Sequence, residues 1–550
     1  MDGLNMDSQL TLPAILRRAE TLFGHKTIIS RLPDKSHWRY RYGDMAVRAK
    51  RLAVALQGVG VRPGDRVATL GWNHHQHLEA YFAIPAIGAV LHTLNLRLSP
   101  DDLAYAANEA GDRLLLVDAS LLPLLEQFRA RAAFEHVIVM ADGNDVRPGT
   151  IAYEPFVASA DAARFEYRDV EERQAAAMCY TSGTTGRPKG AVYSHRAIAL
   201  HAMACAMAGS LGVSEDDTVL SVVPMFHINA WGLPFTSTLA GAAQVFPGPH
   251  LDPTSLLELL STTSVTVTAG VPTVWLGVLQ LLDRNPGAYD VSRLRSIVTG
   301  GSAAPPAMIR NFQERHGLRV VHAWGMTETT SITTLSILPS DLRDAPAAEQ
   351  YAYRATQGTP LPFIEIRARG EAGLVAWDGT SMGELEVRGP WVARSYYKSP
   401  QGDDHFTDDG WFKTGDIVTI DERGCVSLCD RTRDLVKSGG EWISSVALEN
   451  ALMAHPAVAE AAVVAVPHPK WGERPLAAVV LKPDVSATAE DLLRHLRPDF
   501  PKWWLPDAIA FVDEIPRTSA GKFRKSTLRE RFREHYSKSA AEISFKKESG

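Results

Sequence analysis

The chain has 550 residues, 45% of them hydrophobic and 22% charged, with 57 Lys+Arg against 63 Asp+Glu for a formal net charge of −6. Such a length exceeds what one core serves, so two or more domains are expected, and the acidic balance argues against a nucleic-acid partner, which calls for a basic field. The 4 cysteines make no disulfide framework and fit a reducing compartment.

The opening stretch MDGLNMDSQL carries acids and no basic region ahead of an apolar run, so no signal peptide is read. The segment DDLAYAANEA has helical spacing and leads into the apolar run RLLLVDA. The most apolar stretch, YFAIPAIGAVLHTLNL, is broken by a proline and a histidine; it falls short of the roughly 20 residues of a membrane span. No membrane span and a cytoplasmic location are expected, with peripheral membrane contact left open.

AAAMCY reads as a strand, followed by the loop TSGTTGRPKG (181–190) and the helix-like SHRAIALHAMACAMA. Further on, SVTVTAGVP, LRSIVTGG and LRVVHAWG are short β-rich runs, with the helix-like PAMIRNFQERHG between the last two. The alternation predicts α/β layers with mostly parallel strands, whose ligands lie beyond the carboxyl ends of the strands. From about residue 360 the texture changes: GELEVRGPWVARSYY and GDIVTIDERGCVSLCDR read as antiparallel strands, with a turn over Asp421 to Gly424. Cys425 and Cys429 flank a β-like run and are expected to be core thiols, since no second Cys/His pair lies nearby. After DRTRDLVKSGGEW comes an α+β pattern, and the basic KFRKSTLRERFREHYSKS is expected to be a solvated final helix. The boundary is placed at 432/433.

The loop 181–190 has the glycines, hydroxyls and lysine of a phosphate-binding loop, but it is not a Walker loop. Gly183 is followed five residues later by Pro188, which has no N–H to donate, and Lys189 is followed by Gly190 rather than Ser or Thr. A flexible, hydroxyl-rich anion loop remains.

The string TSGTTGRPKG, followed in order by WGMTE (324–328), GELEVRG (383–389), TGD (414–416), DRTRDLVKSGGEW (430–442) and PRTSAGK (516–522), resembles the adenylate-forming enzymes: acyl-CoA synthetases, adenylation domains and firefly-type luciferases. The resemblance covers nearly the whole chain. VPMFHINAWGLPF, AGVPTVWLG and GGSAAPP look most like bacterial medium- and long-chain fatty acyl-CoA synthetases. The resemblance implies an N-terminal domain of α/β layers plus a small β-barrel (1–432), a hinge, and a mobile α+β C-terminal domain (433–550). It also implies ATP and Mg²⁺, coenzyme A as co-substrate, and a homodimer.

Site roles follow from the resemblance and from the chemistry. A carboxylate oxygen must attack the α-phosphate of ATP, expel pyrophosphate and leave an acyl-adenylate, which a thiol then opens; cations and N–H donors must meet the developing charge. Thr181, Ser182, Gly183, Thr184, Thr185, Gly186 and Lys189 would hold the departing phosphates. Thr184 and Glu328 would help hold Mg²⁺, a hard cation that prefers oxygen. Trp324 would stack on adenine in place of the family's more usual Tyr. Gly301, Ser302, Ala303, His322, Ala323, Gly325, Met326 and Thr327 complete the nucleotide wall. Asp416 has two acceptor oxygens for the ribose hydroxyls, and the planar fork of Arg431 can bridge ribose and phosphate.

Lys522 is implied as the lysine that neutralises charge between carboxylate and α-phosphate. Rotation about the hinge Arg433 would withdraw it and bring in Lys437, Ser438, Gly439, Gly440, Glu441 and Trp442 for coenzyme A.

For the acid, residues 225–231 contain no carboxylate. An amino-acid ammonium would lack its partner there. His227, Trp231, Val271, Pro272, Gly300 and Met326 are the candidate acyl-site residues, with a core role open for His227 and Trp231. A short thioether or aryl acid such as 3-methylthiopropionate, and loading of a carrier protein instead of coenzyme A, stay open as alternatives.

Overall fold

The computed structural model describes residues 1, 3–141, 148–181, 187–399, 404–439, 441–483, 485–517 and 523–536, with backbone only at 441. Two large sheets form its N-terminal part. In the nine-stranded sheet, Val320–Met326, Ser296–Gly300, Val267–Gly270, Thr218–Ser221, Ala243–Phe246 and Thr27–Arg31 lie side by side and parallel. Antiparallel strands Ser331–Leu335 and Thr359–Pro360 border one edge and His37–Arg41 the other. In the seven-stranded sheet, the strands from Ile151–Ala152 through His136–Met140, Asp112–Asp118, Arg66–Leu70, Val90–Thr93 and Ala175–Tyr180 are parallel, and Gly190–Ser194 closes the edge antiparallel.

The apolar stretch YFAIPAIGAV resolves into the end of a helix, His75–Ala86, and the start of the strand Val90–Thr93. Every residue of the helix is buried, and it touches strands of both sheets. A helix covered on all sides needs no polar face, and here His75, Gln76, His77 and Glu79 are buried with the apolar residues, which is why no amphipathic stripe is legible there. Among the described residues no helix is long and apolar enough to cross a membrane.

The small barrel expected near residue 360 is a five-stranded antiparallel sheet in the order Gly373–Leu374, Glu365–Gly370, Gly383–Arg388, Phe412–Ile420, Val426–Arg431. The turn after Ile420 is closed by Gly424 N–H donating to the Asp421 carbonyl at 2.8 Å. Cys425 is buried and Cys429 half-buried. Burial pushes both thiols up to about 11.

The last sheet starts at Val436 and contains Glu441–Ile443, Val436–Ser438, Gly472–Leu481 and Val458–His468 in that order, with Ala508–Phe511 paired parallel to Gly472–Leu481. Helices Ser445–Ala454, Ala489–Leu496 and Lys525–Phe532 cover it. The last of these is not the merely solvated helix that its composition suggests. Leu528 is fully buried, and Lys525 turns inward to Glu449 Oε1 at 2.7 Å and Ser445 Oγ at 2.6 Å. The buried carboxylates draw the basic face in.

Candidate active site

The parallel order of the nine-stranded sheet reverses between Thr218–Ser221 and Val267–Gly270, since the chain visits Ala243–Phe246 on one side and then crosses back. A crevice forms at the carboxyl ends of the two strands at such a point. The residues that follow those ends are 222–231 and Val271–Pro272. The sheet thus brings His227, Trp231 and Val271 to one place, with Pro272 opening the helix Pro272–Arg284 behind them.

The next strand along ends at Gly300, which pairs with Ala323. A Cβ on Gly300 would sit 2.5 Å from the Ala323 carbonyl and 3.2 Å from the Trp231 ring, so only glycine fits between them. A Cβ on Gly301 would lie 3.5 Å from Val271 Cγ1 and 3.7 Å from Trp231 Cζ2. The indole therefore covers both glycines beside Val271. It is held there by unusual backbone: Ile228, Asn229, Ala230 and Trp231 all have positive φ, between 41° and 56°. Each non-glycine residue in that region costs on the order of 1 kcal/mol, a local strain that marks this turn as a candidate functional element. Ala303 and Met326 are half-buried and Ser302 is exposed.

On the nucleotide side, the indole N–H of Trp324 donates to Asp416 Oδ2 at 2.8 Å. Asp416 Oδ1 lies 2.5 Å from Arg431 Nε, its cross-strand partner. Asp416 is fully buried, yet a carboxylate has about four lone-pair sites, so both oxygens can still accept ribose hydroxyls. The pairing register slips between Trp324 and Gly325. A Cβ on Gly325 would stand 1.7 Å from the Ser331 carbonyl, so glycine is required for the bulge that aims the indole at Asp416.

His322 and Ala323 sit on the same strand and are buried. The His322 ring is taken up by carbonyls, with Nδ1 3.1 Å from Ala355 O and Nε2 3.4 Å from Ser302 O, and burial lowers its pKa. The ring thus ties the segment at Ala355 to the carbonyl of Ser302.

At the phosphate loop, Thr181 N–H donates to the Lys189 carbonyl at 2.9 Å and Lys189 N–H to Thr181 Oγ1 at 3.0 Å, clasping the loop's two ends. Ser182, Gly183, Thr184, Thr185 and Gly186 lie outside the described residues. Lys189 Nζ stands 4.6 Å over the Tyr396 ring, and the Tyr396 hydroxyl donates to Glu328 Oε1 at 2.5 Å. Thr327, beside Glu328, accepts at its carbonyl from the Tyr193 hydroxyl at 2.7 Å. Tyr193 and Tyr396 are site neighbours that the sequence does not reveal; the SYY of 395–397 reads only as part of a strand. Glu328 is 6% exposed. One near-buried carboxylate beside a hydroxyl-rich phosphate loop fits Mg²⁺, which binds through one or two carboxylates plus substrate phosphates.

In the C-terminal part, Lys437 is exposed and its N–H donates to Glu473 at 2.9 Å. Ser438 Oγ accepts from Arg474 at 3.1 Å, and Gly439 N–H donates to the Trp471 carbonyl at 2.9 Å. Trp442 is half-buried. Gly440, Lys522 and the Glu441 side chain lie outside the described residues. Arg433 is 43% exposed, and its carbonyl accepts from Arg529 at 2.9 Å. These bonds of Lys437, Ser438 and Gly439 stay within this part of the chain and do not join them to the Trp324–Asp416 wall. Contacts across residue 433 run elsewhere: Ser445 N–H donates to Asp430 Oδ2 at 2.6 Å, and the Ser444 hydroxyl donates to the Cys429 carbonyl.

A family model described as AMP-binding enzyme matches residues 16–397, and one described as AMP-binding enzyme C-terminal domain matches 447–522. A long-chain-fatty-acid–CoA ligase of Thermus thermophilus is 49% identical, covering 96% of this chain and 97% of that one. A medium-chain-fatty-acid–CoA ligase of Ectopseudomonas oleovorans is 40% identical over 97% and 98%. A 3-methylmercaptopropionyl-CoA ligase of Ruegeria lacuscaerulensis is 40% identical over 97% and 99%. Among solved structures, the anthranilate CoA ligase AuaEII with anthranoyl-AMP superposes with a TM-score of 0.86 at 26% identity, over 98% of this chain and 100% of that one. ATP-bound MatB from Rhodopseudomonas palustris superposes with 0.82 at 28%, over 96% and 100%. The chain belongs to the AMP-binding enzyme family, as an adenylate-forming acid–thiol ligase.

Proposed function

We propose that this protein activates a medium- or long-chain fatty acid with ATP, releasing pyrophosphate, and passes the acyl group from the adenylate to coenzyme A with loss of AMP. The observation that carries the reading is the apolar wall of Trp231, Val271 and Gly301, with no carboxylate in 225–231, next to the Trp324–Asp416 pair. An alkyl chain is stabilised there by burial, and a charged α-substituent would lose its water without gaining a partner.

Asp416 and Arg431 orient the ribose, and Trp324 forms the flat wall against the base. The loop 181–189 takes the pyrophosphate. Glu328, oriented by Tyr396, and Thr184 would hold Mg²⁺, which when bound supplies charge neutralisation on the phosphates. Lys522 would neutralise charge as the acid oxygen meets the α-phosphorus. A division at 432/433, with Arg433 as hinge, then lets the segment Lys437 to Trp442 face the thiol. Homodimerisation and a cytoplasmic location belong to the same proposal.

A second reading has one observation in its favour. The Trp231 indole, lying over Gly300 and Gly301, narrows the slot and suits a short thioether acid such as the substrate named for the Ruegeria relative. A rate screen over acids from acetate to palmitate, with aryl and thioether acids included, tests both. The highest kcat/KM for a chain of eight or more carbons, as about expected for a pocket gaining ~0.8 kcal/mol per buried CH₂, supports the fatty-acid reading. A maximum at a short acid replaces it with the second.

A further inference from the structure

Away from the crevice, a second cavity of ≈ 550 Å³ opens at the opposite end of the nine-stranded sheet. Arg295 and Arg319 line it, each just ahead of the first residue of its strand, Ser296–Gly300 and Val320–Met326. The nucleotide and acyl residues Gly300, Gly301 and Met326 come at the other ends. At about 3.3 Å per residue, the five-residue strand alone separates the two openings by ~16 Å.

Two further arginines, Arg343 and Arg354, complete the rim, over a floor that includes Leu211 and Val321. Only Arg295 is neutralised, by a bidentate pair with Asp217 at 2.8 and 2.9 Å. Arg354 has a neutral partner, Gln313 Oε1 at 3.1 Å. Among the described residues, neither Arg319 nor Arg343 has a carboxylate within ion-pair distance, and Asp341 is engaged by Arg423 at 3.0 Å. Arg319 and Arg343 keep an exposed face and Arg354 is half-buried; partial desolvation at the cavity wall, and then the charges of Arg354, Arg295 and Arg343, pull the Arg319 guanidinium below its usual pKa. A chain of net charge −6 thus gathers three un-neutralised guanidinium groups around one concavity of small-ligand size. A bound anion would relieve their mutual repulsion beyond what water and salt already screen.

We propose that this cavity is a second binding site, separate from the catalytic crevice, for a small molecule bearing closely spaced phosphates. Guanidinium forks match phosphate oxygens two at a time, and Leu211 and Val321 offer an apolar floor to a base or ring. Two sources share this chemistry: a nucleotide-type bisphosphate and free pyrophosphate.

The test is titration calorimetry on the full-length protein with inorganic pyrophosphate and, separately, adenosine 3′,5′-bisphosphate, comparing wild type with Arg319→Ser/Arg343→Ser. The catalytic crevice can bind either probe, so the readout is the site lost. Wild type should bind one equivalent more of at least one probe, and the variant should lose that equivalent or bind it about tenfold more weakly, which is ~1.4 kcal/mol. Its acid-dependent pyrophosphate-exchange rate should be unchanged. Loss with the bisphosphate alone assigns the nucleotide source, and loss with pyrophosphate assigns the free anion. Without ligand and at low salt, the variant should melt no lower than wild type, because repulsion has been removed. If it melts lower, Arg354→Gln serves as the replacement. Equal stoichiometry and affinity in wild type and variants would overturn the proposal, as would binding of an acidic peptide or anionic vesicle without binding of either phosphate probe.

Discussion

Trp324 and Asp416, 92 residues apart, are joined by an indole N–H that donates to a fully buried carboxylate at 2.8 Å. The bond explains how this chain dispenses with the tyrosine more usual at the first position. The hydroxyl is gone, but the indole supplies a donor that fixes Asp416, the residue proposed to take the ribose, without any ligand. Arg431 fixes the other oxygen at 2.5 Å.

Trp324→Phe keeps a flat ring and removes the donor. A hydrogen bond to a charged group contributes about 1.5–3 kcal/mol, so KM for ATP should rise roughly 10- to 100-fold at ~1.4 kcal/mol per decade, with an unchanged far-UV spectrum. An unaltered KM would show that Asp416 is positioned by Arg431 alone.

The Glu449–Lys525 pair, at 2.7 Å, is buried from both sides. Burial pushes Glu449 up to about 7, against the pull of Lys525. For Lys525, burial alone lowers the pKa, but Glu449, Asp430 and Asp434 more than offset it and keep the amine charged. Lys525→Met should destabilise by about 3–5 kcal/mol, the cost of a buried charge left alone. The loss should be largest above pH 7, where Glu449 must ionise, and should shrink as pH falls and the carboxyl takes its proton. Lys525→Met/Glu449→Leu should recover most of it. Thermal melts at pH 6 and 8 read the difference, and equal deficits at both would contradict a buried carboxylate as the cause.

Acid should weaken the N-terminal core. Burial lowers His77, His195 and His201 each to about 4. His195 Nδ1 accepts from Leu12 N–H at 3.3 Å and His201 Nε2 from Ile332 N–H at 3.1 Å, so neither nitrogen can carry a proton in the fold. A group with a depressed native pKa stabilises fully above its unfolded value near 6.5, and that contribution disappears as pH falls toward 4. Each ring is worth up to about 3 kcal/mol on this basis. The melting temperature should be flat above pH 7 and fall steeply below 6.5, and His201→Gln should flatten the slope. A melting temperature insensitive to pH between 7 and 5 would refute this.

Trp231 stands over Gly300 and Gly301 on a backbone held at positive φ. Trp231→Ala should open the slot and shift the preferred acid by several carbons toward longer chains, read as the ratio of kcat/KM for short and long acids. An unchanged ratio would return Trp231 to a purely structural role.

The strand–helix alternation up to residue 360 is legible where a parallel strand is short, rich in β-branched residues and punctuated by glycine or a polar turn, as SVTVTAGVP and LRSIVTGG are. The helix His75–Ala86 is not, since burial on every side erases its period. Trp324, Asp416 and Glu328 could be picked out by motif, but their mutual geometry depends on a bulge at Gly325 and on cross-strand register, which no local pattern encodes. Tyr396 holds Glu328 from 68 residues away, and Lys525 reads as a solvated lysine until the buried carboxylates facing it are known. Long-range polar pairs are the part a linear reading cannot supply.

The most direct test of the central claim is ATP–pyrophosphate exchange with the full-length protein in the presence and absence of a fatty acid. Labelled pyrophosphate should enter ATP only when the acid is present, and addition of coenzyme A should yield acyl-CoA with one AMP per thioester. Release of ADP, or exchange that proceeds without any acid, would contradict it.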